Sequence, residues 1–100
     1  MKKIYKVTVV SKLLNATHET LKNQIGEQHE DNPAAFIWAE SEKDAIGQCM
    51  ANVLSDETNP KIISVSENKL TFSTERSISW TGQDISVNTV EMFYSATPIQ

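Results

Sequence analysis

Polar and apolar residues alternate from the start of the chain. In Lys3-Ile4-Tyr5-Lys6-Val7-Thr8-Val9-Val10, the residues Tyr5, Val7 and Val9 fall on one face and Lys6 and Thr8 on the other. Period-two alternation rich in β-branched residues predicts a strand with one wet face. From Asn15 to Gln28 the spacing lengthens. Leu14, Leu21 and Ile25 stand near helical intervals and Asn15 or Thr17 could cap the start, so we expect a helix over about 16–28, with a long polar loop as the alternative. Glu27 to Pro33 is acidic and ends in Asn-Pro, which disfavours α backbone before the proline and predicts a loop.

The strongest local signal follows. Ala34-Ala35-Phe36-Ile37-Trp38-Ala39 is a short apolar run bounded by Pro33 and Glu40, the pattern of a strand buried on both faces. Ser41 is a favoured helix N-cap, with Asp44 three residues on as its capping-box partner. Ala45, Ile46, Cys49, Met50, Val53 and Leu54 then recur on one helical face, predicting a helix over about 42–54 that stops before Asn59-Pro60.

The last forty residues change character. Residues 62–66, 70–74, 78–80 and 85–94 are β-rich segments separated by short polar breaks at Glu67-Asn68, Glu75-Arg76 and Gly82-Gln83-Asp84, which is hairpin spacing. A short helical turn within 87–96 is the alternative for the final segment, but its β-branched and aromatic residues favour strand. The pieces assemble into one α+β domain over residues 1–100: a mainly antiparallel sheet of about four to six strands, with the helix at 42–54 and the second helix at 16–28 packed on it.

Composition narrows the class. One hundred residues with 39% hydrophobic and 22% charged side chains suit a single small domain, and one cysteine excludes an internal disulfide. No apolar run approaches the roughly 20 residues of a spanning helix, and no secretory signal opens the chain, so a cytoplasmic protein without a membrane role is expected. The net charge of −4 hides a separation. Residues 1–22 hold five lysines against Glu19, net +4, whereas 23–60 hold eight acids against Lys43, net −7, and 61–100 are close to neutral at −1. Such polarity bears on partners and association rates rather than on fold.

Familiar catalytic chemistry finds little support. His18 and His29 lack the i, i+4 spacing of helical zinc ligands, so no metal is expected. Cys49 lies inside the apolar stripe of the helix, the position of a core thiol rather than of an activated nucleophile. Gly26, Gly47 and Gly82 are too scattered to cradle a phosphate, and no nucleotide or other cofactor is expected. A single arginine and a pI near 5.0 argue against direct nucleic-acid binding. What remains is a set of acids, Glu27, Glu30, Asp31, Glu40, Glu42, Asp56 and Glu57, able to face a basic surface on a partner. Trp38 falls in the apolar run and is expected in the core, leaving Trp80 as the aromatic anchor.

The run Phe36-Ile37-Trp38-Ala39-Glu40-Ser41-Glu42-Lys43-Asp44-Ala45-Ile46, preceded by Tyr5-Lys6-Val7-Thr8-Val9, resembles a module of small phage, prophage and plasmid accessory proteins, several anti-CRISPR proteins among them. The resemblance covers about twenty residues and implies a non-enzymatic inhibitor that binds a nuclease or surveillance complex such as a CRISPR-Cas assembly at its basic, nucleic-acid-binding surface. The first alternative is a small enzyme or ligand-binding domain using His29 and Glu30 in a pocket. The second is a homo-oligomeric structural protein, a homodimer for example, pairing through an exposed strand edge.

Overall fold

Among the described residues, five strands and two helices follow one another as β1 (Lys3–Ala16), α1 (Glu19–Lys22), β2 (Gln28–Ala39), α2 (Glu42–Asp56), β3 (Thr58–Val65), β4 (Lys69–Trp80) and β5 (Asp84–Pro98). The computed structural model describes residues 1–80 and 84–99, and of residues 31–34, 80 and 84 the backbone alone. The strands form a single antiparallel sheet in the order β2-β1-β5-β4-β3. With α2 on one face, the architecture is α+β. No helix among the described residues is long and apolar enough to cross a membrane.

The alternation in β1 works as expected: Tyr5 and Val7 are buried beneath α2. Their neighbours across the sheet, Ala96, Met92, Phe72 and Leu70, complete the floor on which Ala45, Ile46, Cys49 and Val53 of α2 rest. Phe72 and Tyr94 meet edge to face, with ring centroids 5.2 Å apart. Ile4 of β1, on the other face, is exposed, and no helix among the described residues covers that face.

The predicted N-cap is in place. Ser41 Oγ accepts the Asp44 N–H at 3.0 Å, satisfying a donor that the helix start leaves open, while Asp44 Oδ2 reaches one residue past the cap to accept the Glu40 N–H at 2.9 Å. Leu54, counted in the buried stripe from its spacing, is instead exposed: it lies one residue round the helix from the buried Val53, on the flank where Met50 is only half-buried.

Three stretches differ from the sequence expectation. The second helix is confined to Glu19–Lys22, and residues 3–16 remain strand because β5 pairs with β1 from Tyr5↔Pro98 to Ala16↔Asn88. Long-range pairing outweighs a stripe of which only Leu21 becomes buried. The acidic segment 28–33 is strand rather than loop: Gln28 to Asp31 pair with Lys12 to Val9, and the Asn-Pro is absorbed in a bulge before pairing resumes at Ala35. Glu75-Arg76 does not interrupt β4, which pairs with β5 continuously from Lys69 to Trp80.

At the far end of the sheet a polar network, buried at Ser86 and Asn88, takes over from apolar packing. Ser86 Oγ donates to Asn88 Oδ1 at 2.6 Å and accepts the His18 N–H at 3.2 Å, while Thr17 Oγ1 accepts the Val87 N–H at 2.9 Å. These bonds tie the turn after β1 to β5. His18 rather than Asn15 or Thr17 caps α1, its Nδ1 accepting the Thr20 N–H.

Candidate functional site

Where α2 ends, the sheet continues, and the step between them leaves a cleft of about 330 Å³. Its floor is apolar, with Val7 and Val9 of β1, Ala35 and Ile37 of β2, and Cys49 and Val53 of α2. Asp56 and Glu57 stand on its rim beside Asn52 and Tyr94. The apolar floor comes from period-two residues of β1. The acidic rim comes from the last turn of a helix that carries no basic residue there to offset it.

The seven acids singled out from sequence separate into groups. Asp56 and Glu57 reach the cleft, and Asp31 is brought alongside by its backbone pairing with Val9, although its side chain lies outside the described residues. Glu30 pairs with Val10, the next position along, and so belongs to the opposite face. Glu27 precedes the strand and is exposed, with an oxygen 3.8 Å from His29 Nε2. Glu40 and Glu42 sit at the other end of α2, about 20 Å away along the helix. Glu57 is partly neutralised, since Arg76 Nη2 lies 3.4 Å from its carboxylate. Glu30, Glu40, Glu42 and Asp56 make no ion pair among the described residues.

The groups considered for catalysis are dispersed. His18 is engaged in the α1 cap, and His29 is exposed on β2 opposite Ser11. Cys49 is buried against the core, and desolvation raises its thiol pKa above the ordinary range. No group of three or more His, Cys, Asp or Glu side chains is arranged to hold a metal among the described residues.

Comparison with family models, with curated proteins and with solved structures finds no match to this chain. Its function must therefore be argued from its own surfaces.

One of those surfaces was not legible in the sequence. Trp38, expected in the core, is exposed together with Phe36, because their positions on β2, opposite Ile4 and Lys6 of β1, fall on the helix-free face, where Ile4 is exposed as well. Trp38, Ile4, Pro98 and Ile99 line an almost wholly apolar hollow at that end of the sheet. An unbroken apolar run carries no signal that separates a central strand from an edge one, so the two tryptophans could not be ranked by exposure. The side chain of Trp80, the anchor expected from sequence, lies outside the described residues.

Proposed function

We propose that the chain is a non-enzymatic protein-binding accessory protein of the inhibitory kind, which seats the acid-rimmed cleft against a basic, nucleic-acid-binding site on its partner. The observation that carries this reading is the rim itself. Asp56 and Glu57 project beside an apolar floor, with Asp31 of β2 at the adjoining register position, and Arg76 is the one cation paired with a rim acid among the described residues. A desolvatable floor with acids along one side suits a basic protein surface better than a small neutral ligand. The resemblance of residues 36–46 to phage and prophage accessory proteins supports a partner that handles nucleic acid, such as a CRISPR-Cas complex.

The test is affinity capture from a bacterial lysate on the immobilised chain, with duplex DNA as competitor. A nucleic-acid-binding protein should be retained by the wild type, released by added duplex, and no longer retained by Asp56→Lys/Asp31→Lys. Retention that survives both the competitor and the charge reversal would exclude this reading.

A further inference from the structure

The two edges of the sheet are treated differently. β3 is interrupted by Pro60 and Lys61 and by two register shifts, the second of them within its uncharged half Ile62–Val65, where Ile63 and Val65 are exposed. The first half of β2 carries Glu30, Asp31 and Pro33. Its second half, Ala34 to Ala39, has no charge, and there Phe36 and Trp38 are 62% and 57% exposed.

This segment is also symmetric in character about Ile37. Phe36 and Trp38 flank it, and Ala35 and Ala39 lie outside them. Two identical strands paired antiparallel about a two-fold axis at Ile37 would set Phe36 of each chain opposite Trp38 of the other, and Ala35 opposite Ala39. Each exposed aromatic would then meet an aromatic on the uncovered face. We propose that the occupant of this edge is a second copy of the chain, joined through residues 35–39 in that register to form a continuous sheet.

The helix limits the pairing to this stretch. Gln48 Nε2 donates to the Trp38 carbonyl at 3.1 Å, and Asp44 holds the Glu40 N–H, so α2 occupies edge groups from Trp38 onward. The Trp38 carbonyl keeps a second lone pair for the N–H of the partner's Phe36. Pairing gives Phe36 and Trp38 an aromatic neighbour across the new seam while their outer faces stay in solvent, so the area buried is small and below that of stable specific interfaces. A reversible dimer, populated at roughly 10–100 µM and lost on dilution, is the expected state.

Sedimentation equilibrium of the wild type and of two variants tests this. Phe36→Lys and Trp38→Glu should each weaken dimerisation about tenfold or more while both retain cooperative melting, since neither side chain is in the core. Mixed in equal amounts, they should recover a heterodimer, because one Lys then faces one Glu and the remaining Trp38 faces the remaining Phe36. A wild type that stays monomeric at several hundred micromolar overturns the proposal. So does a dimer indifferent to both substitutions, or a mixture that shows no recovery, because another register or face would not bring positions 36 and 38 together.

Discussion

Ser86→Ala probes the polar end of the sheet, where the structure departs most from hydrophobic packing. Ser86 is fully buried and Asn88 is 3% exposed. The hydroxyl acts twice, donating to Asn88 Oδ1 and accepting the His18 N–H. Alanine leaves the buried Asn88 oxygen without its donor, at about 1–3 kcal/mol, and removes a half-buried bond to His18 worth about 0.5–1.5 kcal/mol. The expected loss is about 2–4 kcal/mol, a large share of the 5–15 kcal/mol typical of a domain, and it should lower Tm by roughly 10–25 °C. Urea denaturation with the slope held common gives the free energy, and amide exchange at His18 reports the bond directly. The partner variant Asn88→Ala should be non-additive with Ser86→Ala by at least about 0.5 kcal/mol, because each removes the same bond. A Ser86→Ala loss under about 0.5 kcal/mol, or strict additivity with Asn88→Ala, would refute the assignment of the network as a structural clamp.

Two further expectations concern α2. Ser41→Ala removes the acceptor of the Asp44 N–H and should cost about 1 kcal/mol in chemical denaturation, with Ser41→Asp restoring most of it. The buried Cys49 thiol, raised by desolvation, should react slowly with thiol reagents in the native state and fast in denaturant. Because its folded pKa lies above the unfolded one, its contribution is intact below the unfolded value, about 8.5, and falls as pH rises from there through the folded value. Stability curves should therefore decline more steeply above pH 8.5 in the wild type than in Cys49→Ala.

The parts of the fold legible in the sequence were those set by short-range chemistry. The Ser41 N-cap fixed the start of α2, and the spacing of Ala45, Ile46, Cys49 and Val53 named its buried face. Alternation in Tyr5, Val7 and Val9 identified the core side of β1. What escaped depends on partners far along the chain. Residues 11–16 extend as strand because β5 lies beside them, and Ser86, sixty-eight positions from His18, anchors the turn that follows. Phe36 and Trp38 form an apolar run that any buried strand would share, and only the strand order reveals that it lies at an edge. The site fared likewise: contiguity in sequence suggested one acidic surface, but the pleat turns Glu30 away from the cleft, and the length of α2 separates Glu42 from Asp56.

The acid-rimmed cleft and the aromatic edge are physically separable, and this makes the two proposals distinguishable. A two-fold axis within a continuous antiparallel sheet runs perpendicular to it, so both copies of α2 would lie on the same side and both clefts would face the same way. A dimer would then present two acidic sites in fixed relation, and a partner with two basic sites at matching separation would gain avidity that a monomer lacks. Charge reversal at Asp56 would abolish retention whether or not the chain dimerises. Phe36→Lys, which leaves the rim intact, would lower retention only for a partner that engages both clefts. Loss with the first variant and not the second therefore indicates single-site docking, whereas loss with both shows that the edge strand and the cleft act together.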